Sequence, residues 1–282
     1  PGAKFPPTLS VTSSQVEAFH QTDMVIIAVP SQTLRENVQN VCGYITGSPV
    51  ILSAVKGLEM KTGKRMSQIL EEEIPLALHA NICVMSGPNL AGEIISGKPS
   101  STVVASNNQD AAQRVQSIIT SHYFRVYTND DIVGVEFGGA LKNIIAIGAG
   151  ICDGLQYGNN SKAVFMTRGL AEIARLGVAA GASPLTFSGL AGMGDLVTTC
   201  SSTMSRNHRV GKLLADGRTV DEVREILDNV AEGIDTTSAA VSLATQLGVE
   251  MPIAQATHNV LFNGVPIRQA IFDLLERDPK LE

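Results

Sequence analysis

The sequence predicts an α/β fold: a parallel, doubly wound sheet over residues 1–129, followed by an all-α second domain over residues 130–282. Three observations carry that expectation. Short β-branched apolar runs alternate with segments of helical spacing in the first part, as in strands buried on both faces between crossover helices. After Thr128-Asn129-Asp130-Asp131 the strand signals stop and long helical segments take over. A chain of 282 residues is also long enough for two cores, since single cores stop growing at roughly 250–300 residues.

Pro1-Gly2-Ala3-Lys4-Phe5-Pro6-Pro7 reads as a loop without the apolar stretch of a signal peptide. Met24-Val25-Ile26-Ile27-Ala28-Val29-Pro30 is the first strand, closed by its proline, and Val50-Ile51-Leu52-Ser53-Ala54-Val55 and Ile82-Cys83-Val84-Met85 are the next two. Residues 31–41, with Ser31 as N-cap, and 63–73 are the helices between them. Strands at 102–105 and 124–127 flank a helix at 110–119. The second part is read as helices at 132–151, 161–180, 206–216, 220–227, 236–247 and 253–262. Asp130 is the expected N-cap of the first, and Gly177, Gly181, Gly217 and Gly248 are the expected stops.

Composition removes several function classes. A formal charge of -6 argues against nucleic acid or an anionic membrane as the main partner. Cys42, Cys83, Cys152 and Cys200 are widely spaced with no C-x-x-C pair, which suits reduced thiols in a cytoplasmic protein. The five histidines are scattered, so no metal site is expected. No apolar run reaches about 18 residues without polar interruption, so no membrane insertion is expected.

Six constellations carry chemistry. The helix that includes Gly134, Gly138, Gly139, Gly148 and Gly150 is costly, because each glycine loses about 1 kcal/mol of helix propensity against alanine. Something must pack close to its backbone, either another helix or a ligand. Lys142 and Asn143 are the strongly polar residues in its apolar stretch. A surface-seeking lysine is the bland alternative, but apolar, glycine-rich neighbours on both sides favour a site at Lys142. Lys56 lies just past the carboxyl end of a buried strand, where open α/β sheets bind ligands; a solvated loop lysine explains it equally well. Ser86-Gly87-Pro88-Asn89-Leu90-Ala91 repeats that placement after the next strand. Gly192-Met193-Gly194-Asp195-Leu196 is a tight turn that could be a helix–helix corner. Ser205-Arg206-Asn207 precedes a helix and combines a hydroxyl, a guanidinium and an amide at exposed N–H groups, which suits a phosphate, though an ordinary cap explains the triplet alone. Glu232, in Val230-Ala231-Glu232-Gly233, stands before a helix starting near Asp235, where its charge would complement the helix dipole.

Taken together, Val55-Lys56-Gly57-Leu58-Glu59, Ser86-Gly87-Pro88, Phe124-Arg125-Val126-Tyr127, the 138–150 helix, Gly192-Met193-Gly194-Asp195-Leu196, Ser205-Arg206-Asn207 and Gly248-Val249-Glu250-Met251-Pro252-Ile253 resemble the bacterial type of NAD(P)-dependent glycerol-3-phosphate dehydrogenase. The resemblance spans the whole chain in order. It implies a Rossmann-type first domain, NAD or NADP as cofactor, a small phosphorylated substrate and a homodimer. The implied reaction interconverts dihydroxyacetone phosphate and sn-glycerol 3-phosphate, which supplies the phospholipid backbone. Lys142 becomes the proton donor and acceptor. Lys56, Gly87, Asn89, Lys142, Asp195, Ser205, Arg206 and Asn207 become the substrate site, and Lys56, Ala91, Arg206, Val230 and Glu232 the cofactor contacts. Asn89 stands where the family usually has Thr or Ser, and a tuned contact is expected there.

Members of that family begin with a strand, a G-x-G-x-x-G turn and a helix that cradle the pyrophosphate. None of these is in the 282 residues, so the sheet is expected to be incomplete at the N-terminus, by about 60 residues at ~30 per βαβ unit. Very weak cofactor binding is expected of the sequence as it stands. Two rival readings are a related two-domain dehydrogenase of another hydroxy acid or sugar, and a non-catalytic relative.

Overall fold

The computed structural model describes residues 5–227 and 231–278. The first part runs α1 (Gln15–Ala18), β1 (Met24–Ile27), α2 (Leu34–Val41), β2 (Val50–Ser53), α3 (Met66–Glu73), β3 (Ile82–Ser86), α4 (Ala91–Ile95), β4 (Ser100–Ala105), α5 (Gln109–Ile119) and β5 (Phe124–Asn129). The strands form one sheet in the order β1-β2-β3-β4-β5.

Strand β2 shows why helices cover both faces. All four of its residues are buried, and successive side chains of a strand point to opposite faces. Ile51 joins Leu34, Val38, Met66, Ile69 and Leu70 of α2 and α3. Val50 and Leu52 join Ala111, Ala112 and Val115 of α5 on the other side. Each aliphatic side chain buried in this way contributes about 1.5–3 kcal/mol.

Strands β1, β2 and β3 are parallel, and β4 and β5 are parallel to each other, but β3 and β4 are antiparallel, which departs from the all-parallel expectation. The cause is the connection between them. A parallel partner needs a crossover that traverses the sheet. Helix α4 is only five residues long. Asn89 folds this connection back onto the start of β4 through the Ser101 carbonyl and the Thr102 hydroxyl, so β4 begins at the end where β3 finishes.

The second part contains α6 (Ile132–Gly154), α7 (Gly158–Ala179), α8 (Asp195–Ser201), α9 (Arg206–Ala215), α10 (Val220–Ile226), α11 (Glu232–Leu247), α12 (Pro252–Phe262) and α13 (Ile267–Leu275). The N-cap of α6 is Asp131 rather than Asp130, because the Asp131 carboxylate reaches the Gly134 N–H at 2.8 Å. By length and apolarity α6 could cross a membrane, but Glu136 and Lys142 interrupt it and 94% of its most apolar window is buried inside the protein. Its apolarity is that of a central core helix, with α7, α8, α9, α11 and α12 packed around it.

The α6 glycines serve those contacts. A Cβ on Gly138 would strike the Ala191 carbonyl, one on Gly148 the Phe165 ring, and one on Gly150 the His208 carbonyl of α9. Gly181, Gly217 and Gly248 follow their helices at φ of 97°, 87° and 65°, as stops do. Gly177 lies inside α7, where the Phe187 ring covers it and leaves no room for a side chain.

Candidate active site

Three parallel strands end on the same side of the sheet, and their following turns form a crevice. After β1 comes Pro30-Ser31, after β2 comes Lys56, and after β3 comes Gly87. Ser31 does not cap α2 with its side chain. It opens a short 3-10 turn, and its N–H donates at 3.0 Å to Glu232, which also accepts from the Ser31 hydroxyl. The N-terminal end of α11 is thereby tied to the crevice.

At the centre stands Asp195, the first residue of α8 and only 1% exposed. The Leu190–Gly194 segment makes a π-helical turn that runs directly into α8, so it is no helix–helix corner. Asp195 Oδ2 accepts from Lys56 Nζ at 2.6 Å and from the Ser86 hydroxyl at 3.2 Å, while Oδ1 accepts from Lys142 Nζ. Lys142, 6% exposed on α6, also donates to the Thr199 hydroxyl at 2.7 Å. Lys56 donates further to the Gly87 carbonyl at 3.0 Å. Each ammonium has three N–H donors, so each retains one for a ligand. Two lysines thus share one buried carboxylate.

Burial brings the Lys142 ammonium down from the ordinary lysine range to about 7. The Lys56 charge pushes the same way, and the Asp195 carboxylate opposes both. Cys200, also on α8, is pushed up to about 12 by burial and is no nucleophile.

Helices α9 and α11 bring their N-termini together. Ser205 caps α9 by accepting from the His208 N–H at 3.2 Å, and Asn207 Oδ1 accepts from the Gly233 N–H at 3.0 Å. Gly233 itself lies against the Asn143 carbonyl, 2.8 Å from where its Cβ would stand. Two positive helix ends thus meet beside the Lys142-Asn143 pair. Arg206 is exposed and makes no ion pair among the described residues. Ala91 begins α4, and the adjacent Gly92 abuts Met204, so the β3 turn and the start of α9 face each other.

Of the residues expected from sequence, the structure brings together Lys56, Gly87, Lys142 and Asp195 by direct contact, and Ser205, Arg206, Asn207 and Glu232 on the neighbouring helix ends. Asn89 sits in the turn after Gly87, and β4 engages one site at each end of its carboxamide. Its Nδ2 donates to the Ser101 carbonyl at 3.0 Å and its Oδ1 accepts from the Thr102 hydroxyl, which leaves a donor and an acceptor site over. Val230 lies outside the described residues. Ser86 enters the sequence reading only as part of the Ser86–Ala91 turn, with no role of its own, and Thr199 and Glu136 have none there either. Serine and threonine are too common to signal a site, and Glu136 is masked by the apolar helix around it. Asn143, noticed for its polarity alone, is 5% exposed. A recess of about 270 Å³ bounded by Val103, Asp130, Ser183 and Leu190 holds none of these side chains.

Two family models match the chain: the NAD-dependent glycerol-3-phosphate dehydrogenase N-terminus over residues 1–112 and the C-terminus of the same family over residues 131–272. The chain belongs to the NAD-dependent glycerol-3-phosphate dehydrogenase family. Its relatives include a Dehalococcoides mccartyi glycerol-3-phosphate dehydrogenase [NAD(P)+], 50% identical over 271 residues that make up 96% of this chain and 76% of the relative. The Chlorobium limicola glycerol-3-phosphate dehydrogenase [NAD(P)+] is 48% identical over 281 residues, covering 100% of this chain and 84% of the relative. The crystal structure of a Coxiella burnetii glycerol-3-phosphate dehydrogenase superposes with a TM-score of 0.93 at 35% identity, over 98% of this chain and 84% of that one. A D-mandelate dehydrogenase complex with NADH superposes at 0.54 with 14% identity over 86% of this chain and 79% of that one, a likeness of fold alone. The rival of another hydroxy-acid dehydrogenase is therefore not favoured. The family's two-domain, Rossmann-type plan agrees with the sheet and helical layers seen here.

Proposed function

We propose that this chain is an oxidoreductase interconverting sn-glycerol 3-phosphate and dihydroxyacetone phosphate with NAD or NADP, and that Lys142 is its acid–base residue. The observation that carries the reading is the buried Lys142-Asp195-Lys56 cluster, set where two helix N-termini and Arg206 converge. Residues 1–129 form the cofactor-binding domain in this reading and residues 130–282 the substrate-binding domain.

The residues present suit a nicotinamide cofactor. The crevice at the carboxyl ends of β1, β2 and β3 carries Lys56 and Ala91, with Glu232 bonded to Ser31 across it, Val230 two residues before Glu232 in sequence, and Arg206 at the start of α9. When bound, that cofactor supplies or accepts the hydride. The chain's own groups handle charge and protons. In the reducing direction the Lys142 ammonium stabilises the negative charge developing on the ketone oxygen and protonates it. In the oxidising direction the neutral Lys142 amine takes the hydroxyl proton. An amine near pKa 7 is populated in both forms at neutral pH, which serves a reversible reaction. Asp195 orients both lysines, and Lys56 and Asn143 add donors for the substrate oxygens. Ser205, Arg206 and Asn207 form the phosphate clamp, and Gly87 and Asn89 border the substrate. A homodimer in the cytoplasm that feeds glycerophospholipid synthesis completes the proposal; the free thiols of Cys42, Cys83, Cys152 and Cys200 support that compartment.

The test is NADH oxidation with dihydroxyacetone phosphate by wild type and Lys142→Ala. Turnover is expected to fall about 10²–10⁴-fold, the usual share of general acid–base catalysis, with little change in cofactor affinity. Near-normal turnover would remove Lys142 from the chemistry.

A further inference from the structure

Glu136 is buried on α6, the helix of Lys142, and the active-site assignments leave it unused. Its carboxylate is saturated by the start of α3: Oε1 accepts the Ser67 N–H at 2.8 Å, and Oε2 accepts the Ser67 hydroxyl at 2.6 Å and the Arg65 guanidinium. Arg65 is bridged to Leu58, two residues beyond Lys56, and the Glu59 N–H donates to the Lys64 carbonyl at 3.0 Å to close the loop between them. One turn along α6, Gly139 brings the helix against Ser86 and leaves the Lys56 Cδ at 3.6 Å from where a Cβ would stand. One turn further comes Lys142. Three successive turns of α6 therefore grip the Arg65-Ser67 corner, the Lys56 stem and the Asp195 carboxylate.

We propose that Glu136 is a positioning residue for the reaction: it locks the loop of residues 57–65 onto α6 and so fixes Lys56 in register with Asp195 and Lys142. The inference rests on the reading of Lys56 as an active-site residue. Its physical basis is that a saturated, buried carboxylate tolerates little displacement, because any shift leaves charged groups unpartnered. A misplacement of about 1 Å at a reacting group costs on the order of 10²-fold in rate.

The experiment is a double-mutant cycle. Glu136→Gln is expected to lower turnover about 10- to 100-fold, with the KM for dihydroxyacetone phosphate changing less than about threefold. Added to Lys56→Met, the same substitution is expected to lose no more than about a further twofold, since coupled residues are non-additive. Acylation of the Lys56 amine in cofactor-free protein should quicken by about fivefold or more as the loop loosens. Equal losses in both backgrounds with unchanged acylation would show that Glu136 merely supports the fold, and would overturn the proposal. Normal turnover by Lys56→Met alone would remove the active-site reading of Lys56, a distinct result. Should Glu136→Gln not fold, Arg65→Gln keeps both Ser67 bonds and is expected to show the same non-additivity at smaller amplitude. Full additivity there overturns the proposal equally.

Discussion

At the scale of single residues, the behaviour of Lys142 follows from three opposing effects. Burial and the Lys56 ammonium favour the neutral amine, whereas the Asp195 carboxylate favours the charged form; burial is the largest, and the balance lies at about 7. The sign of the pH dependence follows. Oxidation of glycerol 3-phosphate needs the neutral amine, so kcat/KM is expected to rise with pH through about 7 and level off above it. Reduction needs the ammonium, so kcat/KM in that direction is expected to fall as pH rises through the same value. Removing the opposing charge with Asp195→Asn should move both midpoints downward. Initial-rate profiles in both directions between about pH 5.5 and 9 test this, and two flat profiles would exclude Lys142 as the titrating group. Asn89 shows the limits of reasoning by residue type. A polar side chain at a substrate position reads as a contact, and residue type alone does not show that β4 also holds its amide by one bond at each end.

At the scale of elements, α6 decides the packing. Gly150 and Gly211 let α6 and α9 approach backbone to backbone: a Cβ on Gly150 meets the His208 carbonyl, and one on Gly211 meets the Ile147 carbonyl. Gly150→Ala would gain about 1 kcal/mol of helix propensity. It would lose about 1–3 kcal/mol to overpacking, because neither backbone can yield as a flexible side chain would. Net destabilisation of up to about 2 kcal/mol is expected in urea unfolding. Displacement of α9 should raise the KM for the phosphorylated substrate more than that for NADH, whereas a stabilised variant with unchanged KM would refute the close-packing argument. The sequence shows that these glycines answer a close approach, because their helix cost has no local compensation. It cannot show whether a helix or a ligand approaches. Most strands and long helices were legible from periodicity. The direction of β4 was not, since it is set by the Asn89 bonds and not by any repeat. Helix α13 does carry Ile267, Ile271 and Leu274 at helical spacing, a signal the sequence reading passes over. Lys56, Lys142 and Asp195 stood out singly, through strand-end placement, an apolar setting and a tight turn. Their meeting across 139 and 53 residues of sequence was legible only through the family resemblance, because local patterns carry no long-range distances.

At the scale of the whole molecule, the crevice is held closed by carboxylates reaching from the helical layer to the sheet. Asp195 holds Lys56, and Glu232 holds Ser31 at the end of β1. Glu232 differs from an ordinary first-turn acid in that its partners are 201 residues away and include a backbone N–H at 3.0 Å. Its side chain also stands 3.3 Å from where a Cβ on Gly57 would lie, next to Lys56, so one carboxylate organises two of the three turns that form the crevice. Hydrogen bonds to a charged group contribute about 1.5–3 kcal/mol, and each 1.4 kcal/mol is a tenfold change in affinity. Glu232→Ala leaves the Ser31 N–H and hydroxyl without this partner and frees the turn after β1. The KM for NADH is expected to rise about 10- to 100-fold, with turnover at saturating cofactor changed by less than about threefold. Glu232→Gln keeps one acceptor for the Ser31 N–H and should fall between wild type and Glu232→Ala. Steady-state kinetics with NADH varied at saturating dihydroxyacetone phosphate separates the two parameters. A loss confined to turnover would place Glu232 with the proton-handling groups, and an unchanged KM would show that the crevice keeps its shape without this bridge.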